Sequence, residues 1–526
     1  MSRGLALAGA LLVLHGSLTQ LNRWPTPWVE WNGALSVELV LVVLTLAVWV
    51  RLRGPAPRSL IRLLAGSFVW LTICRYMFVT APALYGRNVS LYWDVRFLPD
   101  VTRMLVHAAP AWAVALVALG IVVVLGGLYL PMRWAWRTVA RALDGSRTQL
   151  VVIVACVATL MAYVAERTGR PVPGVRFTAT LSAAFAQQIA DLRAALQQAQ
   201  TLPASPSMAS DLSRVAGADV LVVFVESYGA VTYDRPEMAA GLAGTRDRFA
   251  RDIAASGRQV VSAFVESPTF GGNSWLAHVS LQSGIEVRDE DRNFTLMGQA
   301  RDTLPKAFAR RGYRAIGLIP GLKYDWPEGR FYGYTDVFGA SRLGYRGPSF
   351  GWFELPDQWT LARADALVGR QGSRAPVFIL FPTLSTHIPF MPVPPYQSDW
   401  SRLLGPQPFD AGVAEQAQAR EPDWFDLGAS YLEAVRYELA TFGGYLQLHA
   451  DRDLVLVMLG DHQPPAVVSG EGQPWDVPVH VIASRTEVLD RLVARGFTRG
   501  LTPVRPTLSK MHELLPVLLD AFGDSR

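Results

Sequence analysis

Long, almost uncharged apolar stretches crowd the first third of this chain, and that unevenness limits the possible folds more than any motif does. Residues 34–50, 60–83, 108–130 and 149–165 are all dominated by Leu, Val, Ala and Ile. A helix that crosses a membrane needs about 20 mainly apolar residues, so each stretch is expected to be a span. Glu38 and Arg62 lie near span ends and must snorkel or face a partner helix. Residues 4–19 are shorter. They are read as an anchor, because no small-residue cleavage pattern follows and further spans do. The expectation is an α-helical transmembrane bundle of about five spans. Composition agrees: 50% of the 526 residues are hydrophobic and 18% charged, where a soluble domain carries about a quarter charged residues. A wholly soluble or disordered chain is excluded on the same ground.

Loop arginines give the orientation. Arg51, Arg53 and Arg58 fill one loop, and Arg133, Arg137, Arg141 and Arg147 fill another. Both are expected on the cytoplasmic side, which places everything after residue 166 outside. The loop 84–106 mixes Arg87, Arg96 and Arg103 with Asp94 and Asp100. Trp28 and Trp31 suit interfacial anchors. The formal charge is +5, and no basic run with interleaved aromatics occurs, so nucleic acid is not an expected partner. The only cysteines, Cys74 and Cys156, sit in apolar stretches. They rule out a disulfide framework and a cysteine-rich metal site.

The pattern changes after residue 166. Residues 167–213 hold a polar Ala/Gln-rich helix and then Pro203 and Pro206, read as a juxtamembrane helix and linker. From 214 to 526 short β-rich runs alternate with helical ones. The strands expected are 218–225, 259–265, 314–319, 376–382, 453–459 and 478–483. Buried strands alternating with helices make an α/β domain with a mainly parallel sheet. The stretch 391–423 is read as an ordered but irregular surface loop.

In such sheets chemistry collects beyond the carboxyl ends of the strands. Glu226 and Ser227 follow the first strand, Gly271-Gly272-Asn273-Ser274 follow the second, His387 follows the fourth, and Asp461-His462 follow the fifth. Two carboxylates, an imidazole and a hydroxyl suit one divalent metal, Mn²⁺ or Zn²⁺ more than Ca²⁺ or Mg²⁺. A metal beside Ser274 would lower its hydroxyl pKa and make it a nucleophile. A helix opening at Ser274 would add N–H donors for a phosphate. Each residue also has a plainer reading. Glu226 can be a surface acid, GDH a turn, Ser274 a helix cap and His387 a loop histidine. His480 alternates with valines and reads either as a core histidine or as a pocket residue. His278, four residues after Ser274, is a weaker candidate for the site.

In this order the motifs VVFVESYG, FGGNSWLAHVSLQSG, DWPEGRFYGYTD, THIPF and GDHQPP resemble the alkaline phosphatase/sulfatase superfamily. They are most similar to its membrane-anchored branch of lipoteichoic acid synthases, phosphoglycerol transferases and phosphoethanolamine transferases. The resemblance implies a periplasmic catalytic domain on a multi-pass anchor in the bacterial inner membrane. It implies metal ligands Glu226, Ser274, Asp461 and His462, with Ser274 as nucleophile where Thr is usual and His387 contacting the phosphate or leaving group. It implies substrate contacts near Trp326, with Arg330 or Lys323 in place of an arginine that does not align, and with Asn273 and His480 as further candidates. The partners implied are a membrane phospholipid donor and an envelope glycan or glycolipid acceptor.

No cysteine stands in the catalytic domain and the nucleophile segment reads SWLAH, so a formylglycine sulfatase is not expected. The lack of outer-domain disulfides favours phosphoglycerol over phosphoethanolamine transfer. Two alternatives stand beside that reading. One is a phosphodiesterase or other hydrolase using the same site, and the other is an inactive, binding-only relative.

Overall fold

The structure is a computed structural model. It describes residues 3–524 apart from 24–25, 86–87, 91–93, 95–101, 103–110, 199–201, 324–325, 352 and 370–373. Residues 108–110 of one expected span therefore lie outside the described residues, as do Arg87, Arg96, Asp100 and Arg103 of the preceding loop and Asp325 of the DWPEG motif. The chain divides into two units, residues 1–194 and 195–526.

The first unit is helical: α1 (Arg3–Thr19), α2 (Val37–Arg53), α3 (Arg58–Tyr85), α4 (Ala111–Leu143), α5 (Ser146–Arg167) and α6 (Leu181–Gln198), with a small hairpin of β1 (Gln20–Asn22) and β2 (Val29–Trp31). Three of these helices are long and apolar enough to cross a membrane, over Arg58–Leu84, Trp112–Leu143 and Ser146–Arg167. α1 and α2 have 17 residues each, so the expected count of five is not reached by length. The bundle closes on small and aromatic side chains, with Ala10, Ala65 and Ala135 buried and Phe68 meeting Trp136 edge-on at 4.9 Å. Buried Arg75 is satisfied by the carbonyls of Gln20 and Ala179 and the Thr178 hydroxyl, as a charge in an apolar bundle must be. Glu38 accepts from Ser36 Oγ and the Ser182 N–H, one of the two arrangements expected for it.

The second unit is a nine-stranded sheet with helices on both faces. Its strands are β3 (Asp219–Val225), β4 (Gln259–Glu266), β5 (Arg314–Ile319), β6 (Asp336–Gly339), β7 (Val377–Pro382), β8 (Leu454–Gly460), β9 (Asp476–Ala483), β10 (Thr498–Arg499) and β11 (Ser509–Lys510). The order is β10-β4-β9-β8-β3-β7-β5-β6, with β11 beside β4. All six expected strands are present. Five neighbours, β8-β3-β7-β5-β6, are parallel, while β9 runs antiparallel to both β8 and β4. The sheet is therefore mixed. β3 and β8 are buried at every position, which is why both read as unbroken apolar runs rather than alternating ones. Each large side chain buried here contributes about 1.5–3 kcal/mol.

Two helices pack together on one face, α7 (Pro236–Ala255) and, later in the chain, α10 (Gly428–Leu448). Pro236 sits at the first turn of α7, where its missing N–H costs nothing. α8 (Ser274–Ser283) ends on Gly284, whose φ of 66° lets its N–H reach back to Ser280. α9 (Asp357–Val368) stands before β7, α11 (Thr486–Ala494) follows β9, and α12 (Leu514–Phe522) ends the described chain. The 391–423 stretch is mostly irregular, with short helical turns at Trp400–Arg402 and Val413–Gln418. Residues 208–212 pack against α12, with Ser210 Oγ donating to the Leu519 carbonyl.

Strand directions decide where the chemistry sits. β4 and β8 both run against β9, so they point the same way. The carboxyl ends of β3, β4, β5, β7 and β8 all leave from one edge of the sheet.

Candidate metal and nucleophile site

Three of the segments at that edge meet. Glu226 follows the last residue of β3, and Asp461 and His462 follow the last residue of β8, its neighbour in the sheet. Ligand atoms of Glu226, Asp461 and His462 all lie within 4.8 Å of one another. Ser274, the first residue of α8, donates from Oγ to Glu226 Oε2 at 2.8 Å and lies 3.1 Å from His462 Nε2. His462 Nε2 is also 3.3 Å from Glu226 Oε1. The four residues assigned to the metal are thus brought together.

Backbone strain accompanies this meeting. Ser227 has a φ of 57°, a left-handed conformation that costs a non-glycine residue free energy. Three hydrogen bonds hold it. Its N–H donates to Asp461 Oδ1 at 2.8 Å, its Oγ to Glu226 Oε1 at 3.1 Å, and its carbonyl accepts from the Tyr431 hydroxyl at 2.8 Å. Asn273 is also left-handed, with a φ of 60°, and directs the chain into α8. Its side chain makes no capping bond. Thr383, just past β7, accepts the Glu226 N–H at 3.1 Å. Glycine is required at two places. A Cβ at Gly460 would stand 1.9 Å from the Tyr228 carbonyl oxygen, and one at Gly229 would stand 1.9 Å from Gln463 Oε1. These glycines let the two ligand-bearing loops interlock.

The electrostatics follow from burial and crowding. Burial opposes charge on Glu226, yet the His462 imidazolium overcomes it and holds the carboxyl well below its usual range. Burial and the neighbouring Glu226 charge together raise the Asp461 carboxyl well above the usual range. Burial disfavours the His462 cation, but Asp461 and Glu226 outweigh it and raise the imidazole to about 9. His462 Nδ1 faces the Gln463 carbonyl at 2.8 Å, leaving Nε2 toward the cluster. Asp461 Oδ2 is buried and has no hydrogen-bond partner among the described residues. An orphaned carboxylate oxygen, a second carboxylate and a correctly turned imidazole nitrogen are what a divalent cation takes up. The residues fit a metal.

The other candidates fall into three groups. His387 hangs from the loop after β7, half-buried, with Nδ1 2.7 Å from the Ile388 carbonyl and its ring edge-on to Phe353. It lies near enough for its charge to favour the ionised form of Glu226. Lys323, Trp326 and Arg330 follow β5 on the same edge. Trp326 packs with Tyr332 at 5.3 Å and shares an apolar cluster with Leu276 of α8. Arg330 is exposed, and Lys323 pairs with Glu354 at 3.2 Å. His480 is elsewhere. It lies inside β9, opposite Ser262 of β4, fully buried, with Nδ1 2.7 Å from Ser262 Oγ and Nε2 facing the hydroxyls of Tyr228 and Tyr233. Burial lowers it to about 3, a neutral core histidine with both nitrogens used. The plainer of its two readings matches this placement.

Sequence reasoning gave Ser227 no role beyond its place after the strand and passed over Thr383 and Tyr431; these three hold the Glu226 and Asp461 loops in place. The glycine after Glu226-Ser227-Tyr228 and the one before Asp461 were the available signal. His278 lies on α8 with its ring 4.5 Å from Phe224 and Nε2 buried without a partner among the described residues. Burial lowers it to about 4.

No protein-family model matches the sequence, and no curated protein matches it. Solved structures do resemble it in outline. The lipoteichoic acid synthase LtaP from Listeria monocytogenes is 14% identical with a TM-score of 0.36, over 54% of this chain and 69% of that one. The Streptococcus pyogenes phosphoglycerol transferase GacH is 12% identical with a TM-score of 0.34, over 64% of this chain and 80% of that one. The C-terminal periplasmic domain of EptC from Escherichia coli is 13% identical with a TM-score of 0.32, over 54% and 76%.

Proposed function

We infer that the protein is a metal-dependent phosphotransferase of a bacterial inner membrane, with its catalytic domain outside. It moves the phosphate-bearing headgroup of a phospholipid, phosphoglycerol before phosphoethanolamine, to an envelope glycan. One observation carries this reading: the Ser274 hydroxyl stands 2.8 Å from Glu226 and 3.1 Å from His462, inside a buried carboxylate–imidazole cluster. A lone helix cap needs none of those partners.

Glu226, Asp461 and His462 would hold the divalent cation, Mn²⁺ or Zn²⁺. When bound, it would ionise the Ser274 hydroxyl and offset charge on the phosphoryl oxygens. The chain's own residues do the rest. Ser274 Oγ bonds to phosphorus as the bond from phosphorus to the diacylglycerol oxygen breaks. His387 gives that oxygen a proton and later takes one from the acceptor hydroxyl, which displaces the serine. Gly271 and Gly272 let the phosphate approach the backbone, and N–H groups at the start of α8 face it. Trp326, with Lys323 or Arg330, lies on the same sheet edge, within the region a headgroup would occupy.

The test is peptide mass spectrometry after incubating the purified protein with mixed bacterial phospholipids and Mn²⁺ or Zn²⁺. A glycerol-phosphate adduct on the Ser274 peptide is expected. Metal bound without any adduct, at every time point down to rapid quench, would sink the covalent route.

A further inference from the structure

Away from the metal cluster, one unexplained feature is a groove beside α7 and α10. The two helices run in the same direction, since Arg436 near the start of α10 reaches the Gly241 carbonyl and Gln447 near its end reaches Asp252. α7 follows β3 and α10 precedes β8, so both helices begin at the sheet edge that carries Ser274. Residues 393–420 form the third wall. A cavity of about 800 Å³ runs along the helices past Arg248, Tyr396 and Arg436. A second, of about 340 Å³, lies at the helix starts beside Met391, Asp423 and Asp426. Both are lined by Arg420 and Glu433, so they lie side by side along one groove, with that pair between them. Buried contacts link its lining to the loop of Glu226. Met391 follows Phe390, whose ring packs 5.1 Å from Tyr431, and the Tyr431 hydroxyl bonds the carbonyl of Ser227 beside Glu226.

The chemistry of the groove selects its occupant. Arg248, Arg420 and Arg436 are offset by Asp252, Glu421, Asp423, Asp426 and Glu433. An anionic lipid or nucleic-acid backbone would need an excess of positive charge, which is absent. In the loop between Asp423 and Asp426, outside the cavity lining itself, Trp424 is 63% and Phe425 75% exposed. The loop that carries them is held by two side-chain turns, with Asp423 accepting from the Phe425 N–H and Asp426 from the Gly428 N–H. Large rings held outward beside carboxylates and a two-bonded Arg420–Glu433 pair match a sugar. Its C–H faces stack on rings, and its hydroxyl edges exchange hydrogen bonds with planar charged groups. The neighbouring acids also oppose burying these rings in an anionic bilayer.

We propose that this groove binds an uncharged, polyhydroxylated glycan segment and presents its end to Ser274, with Trp424 and Phe425 as the stacking surface. The proposal rests on the transferase reading for the word acceptor, but the binding stands by itself. The experiment uses the full chain in detergent on an array of charged and uncharged bacterial envelope glycans. Retention on uncharged glycans is expected, weakened at least about tenfold in the Trp424→Ala/Phe425→Ala double variant, with its thermal midpoint measured alongside to exclude unfolding. Retention of no glycan, or equal retention by a folded double variant, would overturn the groove. So would a nitroxide at Phe425→Cys, in nanodiscs of phosphatidylethanolamine and phosphatidylglycerol, that oxygen relaxes better than a water-soluble nickel chelate. If Ser274 never takes an adduct while glycans are still retained, the transferase reading fails and the groove remains.

Discussion

Two pairs of carboxyl groups are buried in the second unit, and they have opposite fates. Glu226 and Asp461 meet beside His462 and Ser274, with one carboxylate oxygen left over. Asp357 and Glu438, at 0% and 1% exposure, meet behind the loop that carries His387. There Asp357 accepts the N–H groups of Leu384 and Ser385, at 3.0 and 2.7 Å. Among the described residues no cation pairs with either. Burial raises Asp357, and burial together with Asp357 raises Glu438 well above its usual range, so ionising both members of the pair is disfavoured. A buried carboxyl pair is thus not a metal site by itself. Unpartnered oxygens occur in both pairs, since Glu438 Oε1 and Oε2 also lack a hydrogen-bond partner among the described residues. An imidazole and a hydroxyl at hand turn the first pair toward a cation, and the backbone N–H groups on Asp357 turn the second into a tether.

Asp461→Asn should break the comparison most, because it removes the oxygen that has no other partner. Metal affinity should fall more than about a hundredfold by inductively coupled plasma mass spectrometry, and headgroup transfer should disappear with it. Ser274→Ala should separate metal from chemistry. Transfer should fall at least about a thousandfold while most of the metal is retained, and retained turnover would remove Ser274 from the nucleophile's role. In the second pair, Asp357→Ala strands two buried N–H groups. It should lower stability by about 2–4 kcal/mol and slow transfer through the loop of Thr383 and His387, with metal content unchanged. Metal loss in this variant would show that the pairs are not independent.

Two pH experiments sharpen the contrast. His462 is raised to about 9 and Asp461 well above the usual carboxyl range, so metal uptake at neutral pH should release protons and weaken as pH falls. Calorimetry in buffers of different ionisation enthalpy reads that release directly. Glu438 has the opposite sign of linkage from a salt-bridged acid. Its raised folded value makes its contribution full below the ordinary carboxyl range and lost as pH climbs through the raised one. Glu438→Gln, with no proton to lose, should flatten the urea-midpoint curve toward alkaline pH. Each tenfold difference in proton affinity is about 1.4 kcal/mol. A variant curve parallel to the parent's would mean that Glu438 is ionised in the folded protein.

The strands and the cluster of Glu226, Asp461 and His462 were legible because they obey local rules. β3 and β8 are unbroken apolar runs ending in a glutamate and in Gly-Asp-His, and a strand's carboxyl end is where an α/β sheet exposes such groups. What could not be read depended on strand direction and distant partners. His480 alternates with valines whether its strand is parallel or antiparallel. Only the pairing of β9 with β4 sets it opposite Ser262 and inside the core. Asp357 and Glu438 are 81 residues apart, on helices whose packing no local pattern announces. Trp424 and Phe425 resembled ordinary loop residues because sequence carries no exposure. The expected five spans met a different limit: α1 and α2 are apolar enough by eye, yet each stops at 17 residues.

The interlocked glycines also bear on how this site could be lost by drift. Gly460 and Gly229 touch no metal and carry no functional group, so a survey of ligand letters would pass over them. Yet any side chain at Gly460 would drive the Tyr228 carbonyl away from the Asp461 loop. A descendant with Glu226, Asp461, His462 and Ser274 intact but a side chain at either glycine would spell an enzyme and fold as something else. In this family of shapes, two absent methyl groups are the earliest place to look for a pseudoenzyme.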